Sequence, residues 1–222
     1  GDIVAVGASK SDVPGRDFGR VRVFSFDGSA WNQLGAALNG EIAYDNFGFG
    51  VSLNAAGDIL AVGSKLGQDG NGDQVGSFRV HTFDGSAWNQ LGSTKYGELE
   101  FDQFGSKVSL NAAGDIVAVA APYSDANGFN LGSAHVFSFD GSAWNQLGPD
   151  LVGDADDSFG FDVSLNAAGD ILAVGSWTTG SYSDAGGLHS GQARVFSFDG
   201  SAWNQLGADF TGEEAGDHLG YS

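Results

Sequence analysis

The residues best able to do chemistry sit in loops. Asp69-Gly70-Asn71-Gly72-Asp73 has a D-x-N-x-D spacing that can turn three oxygen-bearing side chains toward one centre, which makes Asp69, Asn71 and Asp73 a candidate calcium site. A full EF-hand loop would also need glycine at Gln74 and glutamate at Val80, so a polar turn is the competing reading. Trp177, Tyr182 and His189 form an aromatic group on a long loop, and Tyr123 occupies a comparable loop earlier in the chain. Such residues suit contacts to a sugar ring or a peptide. A third set is regular: Arg22, Arg79, His135 and Arg194 occupy one position of a recurring strand, where each calls for a carboxylate nearby.

Catalytic signals are poor. No G-x-S-x-G elbow, H-E-x-x-H pair or phosphate-binding glycine loop occurs, and His81, His135, His189 and His218 fall at unrelated positions. With 28 acidic residues, carboxylate pairs arise by chance and identify no glycosidase. Cysteine is absent, which removes disulfides and thiolate chemistry. The expectation is a protein that is not an enzyme.

The elements that position these residues come in copies. FDGSAWNQLG occurs four times, with tryptophans at Trp31, Trp88, Trp144 and Trp203, separated by 57, 56 and 59 residues. A second phrase, VSLNAAGDI(L/V)AV, begins at Val51, Val108 and Val163, and its tail opens the chain at Gly1. The last residues, from Asp217 to Ser222, align with those from Asp157 to Asp162, so both ends fall inside a repeat. The units run approximately over 1–46, 47–103, 104–158 and 159–217, with 218–222 starting the next. The absence of methionine in 222 residues fits a segment of a longer array.

Within a unit, four short runs rich in β-branched and aromatic residues alternate with turn signals. In the second unit they are A (Val51–Leu53 with its preceding Phe-Gly step), B (Ile59–Val62), C (Phe78–Phe83) and D (Ala87–Leu91). Asn54-Ala55-Ala56-Gly57 and Asp84-Gly85-Ser86 read as the A–B and C–D hairpin turns. No segment carries helical periodicity past a glycine, and glycine totals 37. Strand C is apolar on both faces, so each sheet must lie between others. Tandem four-stranded antiparallel units of this length predict an all-β fold, a β-propeller of stacked blades with one blade split across the ends. The tryptophans on the outermost strand are expected to fill the gaps between blades.

Asp-Asn-Phe-Gly (45–48), Asp-Gln-Phe-Gly (102–105) and Asp-Ser-Phe-Gly (157–160), each followed by a strand, a turn and Ala-Val-Gly or Ala-Val-Ala-Ala-Pro, resemble FG-GAP repeats. Such repeats build the propeller of integrin α-subunits and of marine bacterial and algal surface proteins. The resemblance implies an extracellular or cell-surface module for adhesion or protein recognition, within a ring of about seven blades; a closed four-blade disc is the alternative. It does not carry calcium to the A–B turn, because Asn-Ala-Ala-Gly-Asp offers too few oxygen ligands.

In an up-and-down blade the invariant A–B and C–D turns share one face of the disc. The B–C and D–A loops share the other and vary in length and content, so recognition is expected there. The net charge of −19 makes nucleic acid and anionic lipid poor partners and allows a cationic one. A glycan-binding, lectin-like propeller and a structural spacer that touches copies of its own chain are the alternative readings.

Overall fold

A computed structural model describes residues 2–125, 131–154, 158–177 and 190–222. They form four antiparallel sheets and no helix. The first blade holds β1 (Ile3–Ala8), β2 (Arg20–Phe26), β3 (Trp31–Gln33) and β4 (Leu38–Asn39). The second holds β5 (Phe47–Leu53), β6 (Ile59–Ser64), β7 (Ser77–Phe83), β8 (Trp88–Gln90) and β9 (Lys95–Tyr96). The third repeats the pattern with β10 (Val108–Leu110), β11 (Ile116–Ala121), β12 (Ser133–Phe139), β13 (Trp144–Gln146) and β14 (Leu151–Val152). The fourth does so with β15 (Phe159–Leu165), β16 (Ile171–Ser176), β17 (Gln192–Phe198), β18 (Trp203–Gln205) and β19 (Phe210–Thr211).

Each sheet runs A-B-C-D, as the sequence predicts, and among the described residues the first holds only B, C and D of the blade expected to be split across the ends, with β1 paired to β2 alone. One feature differs. Strand D is broken in two in every blade. In the first, β3 pairs with one end of β2 (Phe26 opposite Trp31) and β4 with the other (Val21 opposite Leu38). Leu34 still donates to the Val23 carbonyl at 2.8 Å, and residues 35–37 bulge away before β4. The bulge holds its shape because Gly35 takes φ +73° and the Gln33 side-chain amide donates to the Gly35 carbonyl at 2.9 Å.

The repeated phrase can be read residue by residue. Asp27 Oδ1 accepts from the backbone N–H of Ser29 and Ala30, both at 2.8 Å, and from the Ser29 hydroxyl at 2.7 Å. Its Oδ2 accepts from the Asn32 amide at 2.6 Å. Asp84, Asp140 and Asp199 do the same, and these hydrogen bonds hold all four carboxyls well below the usual range. They are turn residues, as expected. Asn54 does the equivalent work in the A–B turn, its Oδ1 accepting from Gly57, Asp58 and Ile59.

Phenylalanine and tryptophan do the packing. Trp88 lies 5.1 Å from Phe83 within its own blade, and its indole N–H donates to the Leu34 carbonyl of the preceding blade at 2.8 Å. Trp144 reaches Leu91 and Trp203 reaches Leu147 in the same way, both at 2.9 Å. The acceptor carbonyl is free because strand D breaks there. These three indoles are 8%, 0% and 7% exposed, so they fill the gaps between blades as predicted. Trp31 is 51% exposed. The three apolar clusters of the core each span a blade junction, for example Val80, Phe104, Val119 and Trp144. Stability therefore resides in stacking rather than in any one sheet.

The Phe-Gly step ties the variable-loop side together. Asn46, Gln103, Ser158 and His218, each just before the step, have φ of 57°, 56°, 49° and 52°, so the chain turns sharply into strand A. Phe47 is then 1% exposed and bridges in parallel to Gly19 at the start of the preceding blade's strand C. Gly76 with Phe104, Gly132 with Phe159 and Gly191 with Leu219 repeat that bridge.

Candidate functional site

The starts of the innermost strands and the ends of the second strands meet at one mouth, on the face that carries the variable loops. A cavity of about 460 Å³ opens there, within the range of small-ligand sites. Phe49, Lys65, Lys107, Tyr123, Phe161 and Tyr221 line it. Two positions of the repeat supply most of this wall. One is the residue after the Phe-Gly step: Phe49, Ser106, Phe161 and Tyr221. The other is the residue after strand B: Ser9, Lys65, Pro122 and Trp177. Within a blade they touch. Lys65 Nζ lies 4.0 Å from the centre of the Phe49 ring, and Trp177 lies 5.5 Å from Phe161.

Of the aromatic residues singled out from sequence, Tyr123 lines the mouth and Trp177 stands behind its wall. Trp177 is half-buried, stacks on His218 at 5.6 Å and 30°, and lies 6.4 Å from Tyr221. Phe161 and Tyr221 belong to both the mouth and this cluster. Tyr182 and His189 lie outside the described residues. Sequence reasoning passed over Phe49, Lys65, Lys107 and Phe161. Aligning the four repeats column by column would have exposed them, because these are the inner positions at which the copies disagree.

The mouth is cationic within an acidic chain. Burial, with Lys10 nearby adding repulsion, pulls the Lys65 ammonium below its ordinary value. An anion placed there would reverse that penalty. Lys107 is held at 3.7 Å by Asp162. The acidic D–A loops, expected to draw a cation, are partly committed at the blade junctions. Arg79 pairs with Glu41 of the preceding blade at 3.0 Å, and Arg194 pairs with Asp154 of the preceding blade and with Asp209 at 3.4 Å. Arg79 and Arg194 thus find their carboxylates, whereas Arg22 meets none among the described residues and lies over its own Phe24 ring at 5.6 Å. Glu41 is the direct partner of Arg79, with Asp45 of the Asp-x-Phe-Gly step acting on it from further off.

In the third blade the same slot holds His135. Its Nε2 is 2.9 Å from Ser133 Oγ and its Nδ1 is 2.7 Å from Asp150. The order suggests a hydrolytic triad, but Ser133 is 3% exposed within a strand, and the fourth blade fills the same slot with Gln192, Arg194 and Asp209. Arginine cannot serve as a general base, so the slot is a polar plug between blades.

The Asp69 loop gathers its three candidate ligands around Asp69 itself. Asp69 Oδ1 accepts from the backbone N–H of Asn71 at 2.8 Å and of Asp73 at 3.0 Å, and Oδ2 accepts from the Asn71 amide at 3.1 Å. In this arrangement the loop is a self-bonded turn. Among the described residues no group of three or more His, Cys, Asp or Glu side chains could hold a metal.

The FG-GAP repeat family matches residues 98–137, which run from the D–A loop of the second blade into strand C of the third. No curated protein sequence matches the chain. Among solved structures, a Bacteroides fragilis protein assigned as a 6-phosphogluconolactonase superposes with a TM-score of 0.58 at 11% identity, covering 89% of this chain and 50% of its own. The β-propeller domain of the Trilobed protease from Pyrococcus furiosus gives 0.53 at 6% identity, with coverages of 95% and 55%. An Agrobacterium tumefaciens protein assigned as TolB gives 0.52 at 14%, with coverages of 96% and 63%. The chain thus spans half to just under two thirds of the structures it resembles, and at these identities the likeness shows fold alone. The FG-GAP repeat model thus matches one of the units that recur in the four stacked blades, and the fold is that of a β-propeller.

Proposed function

We propose that the chain is a non-catalytic recognition module that holds a protein or glycan partner at the mouth of its variable-loop face, in an extracellular or cell-surface adhesion role. The observation that carries this reading is the cavity whose aromatic walls and lysines come from the repeat positions that differ between blades. Aromatic faces suit sugar rings or apolar side chains, and the lysines suit a carboxylate or sulfate on either. The test is an array of neutral, uronic and sulfated oligosaccharides and of acidic peptides, followed by titration of any hit. Tyr123→Ala and Lys65→Ala, with unchanged circular dichroism, are expected to weaken a true ligand about tenfold each, the effect of losing one such contact. A hit that both variants bind as tightly as the parent would place recognition elsewhere.

A further inference from the structure

Three junctions join the four blades, and at each the second position of strand C meets the D–A loop of the blade before it. Two of these junctions hold a guanidinium. Arg79 lies opposite Val62 and Arg194 opposite Val174, and each sits over the phenylalanine of the Phe-Gly step, 5.8 Å from Phe47 and 5.6 Å from Phe159. Their carboxylates come from fixed places in the repeat. Glu41 and Asp154 each follow a glycine, Gly40 or Gly153, whose N–H donates to the glycine at the start of strand C. Asp45 belongs to the Asp-x-Phe-Gly step, and Asp209 stands three residues beyond the leucine of the repeated phrase.

The middle junction keeps this cradle and changes what fills it. Glu98 follows Gly97 with the same backbone bond to Gly76 at 3.0 Å, Asp102 takes the place of Asp45, Phe104 that of Phe47 and Asp150 that of Asp209. His135, opposite Val119, replaces the arginine. Histidine ends sooner than arginine: its nitrogens are engaged by Ser133 and Asp150, and its ring meets Phe104 edge-on at 5.3 Å. Beside it lies a cavity of about 120 Å³ lined by Glu98, Asp102, Asp150, Phe104 and Tyr96, the first four being counterparts of the groups around the two guanidiniums. That is roughly ten times the room one water needs. Glu98 is exposed and forms no ion pair among the described residues. Asp102 is 5% exposed, and burial raises its carboxyl above the usual value although the Asp125 N–H and the Ser124 hydroxyl donate to it. A cation between these two carboxyls would relieve that penalty.

We propose that this cavity is a binding site for a guanidinium group carried by a ligand, which takes the place that Arg79 and Arg194 fill from within the chain. Three features select guanidinium among cations. The same repeat positions already accept that group at the two neighbouring junctions. Among the described residues no three acidic or histidine side chains converge closely enough to hold a metal ion, whereas a planar fork of five N–H donors spans separated carboxylates. The aromatic wall of Phe104 and Tyr96 suits a flat, weakly hydrated cation better than a compact ammonium. No residue lines both this cavity and the mouth, so the site stands whatever the mouth binds.

The probe is ethylguanidinium chloride, titrated at constant ionic strength and followed by nuclear magnetic resonance at the amides of Ala121, Ser133 and His135. Ethylammonium chloride in a parallel series reports simple screening of the −19 charge. The expected result is saturable binding with a Kd of the order of 1 mM, at least about tenfold tighter than ethylammonium. His135→Arg copies the neighbouring junctions and should fold, as circular dichroism checks, while abolishing saturation by filling the cavity from within. Glu98→Gln, at an exposed position, should weaken binding about tenfold. N-acetylarginine amide distinguishes the source of the group: tighter binding than ethylguanidinium assigns it to an arginine side chain, equal or weaker saturable binding to a free small cation, and either upholds the site. Absence of saturation, ethylammonium binding as tightly, or shifts that persist unchanged in His135→Arg would each overturn the proposal.

Discussion

Replacing His81 with phenylalanine should change how stability depends on pH, and its size follows from the structure. His81 sits in the middle of β7 where the other blades carry Phe24, Phe137 and Phe196. It is 6% exposed, packs edge-on against Phe47 at 6.3 Å, and its Nδ1 has no hydrogen-bond partner among the described residues. Burial, with the Arg79 guanidinium adding to it, lowers its pKa from 6.5 to about 4. A base depressed on folding takes up its proton in the unfolded chain first. Its neutral form therefore costs nothing above about pH 6.5, and stability drains away as pH falls from there toward about 4. A gap of that size corresponds to about 3 kcal/mol lost across the window. His81→Phe removes this loss. Urea unfolding of parent and variant at pH 7.5 and at pH 4 gives a difference of differences from which the change in packing volume cancels. The variant should gain about 3 kcal/mol on the parent between the two pH values. A variant that tracks the parent through that range would refute the reasoning, since it would mean His81 is protonated in the folded protein.

Two further perturbations probe the junctions. Trp144→Ala removes a fully buried indole and leaves the Leu91 carbonyl unpaired, and should cost about 4 kcal/mol; Trp31→Ala, in an identical local phrase but half exposed, should cost under about 1 kcal/mol. Equal losses in urea midpoint would show that the tryptophan acts within its blade. Asp45 is 2% exposed, and burial raises its carboxyl above the usual value despite the Arg79 charge, so its ionised form opposes folding at neutral pH. An acid raised on folding is harmless below its unfolded pKa of about 4 and costs stability as pH climbs through the folded value. Asp45→Asn should therefore be at least as stable as the parent at pH 7 by thermal melting, with its advantage fading near pH 4.

The repeat was legible because its chemistry is local. The Asp of FDGSAWNQLG bonds within five residues, and the tryptophan's spacing predicts a neighbour one unit away. The break in strand D was not legible: β4, β9, β14 and β19 are two residues each, too short to show alternation, and residues 34–37 hold no proline to mark an interruption. Strand A with its Phe-Gly step is legible, but the irregularity inside it is not: the register shifts between Phe47 and Gly50, where Gly48 and Gly50 interrupt the alternation. The mouth was half legible. Tyr123 and Trp177 stand out as aromatics in loops, whereas Lys65 and Lys107 look like ordinary surface lysines until four strands bring them together. The acidic surplus hid them further, since total charge says nothing about where the few bases collect.

Because the acceptor carbonyl and the donating indole recur in each unit, any blade can follow any other. A duplication or deletion of one whole repeat preserves this indole–carbonyl contact at every junction, although the charged pairs beside it would change. The same interchangeability exposes the folding chain to error, since β8 or β13 of a nascent molecule fits the broken strand of the wrong neighbour as well as the right one. Order must then come from proximity along the chain, which favours blades that dock one at a time as they leave the ribosome.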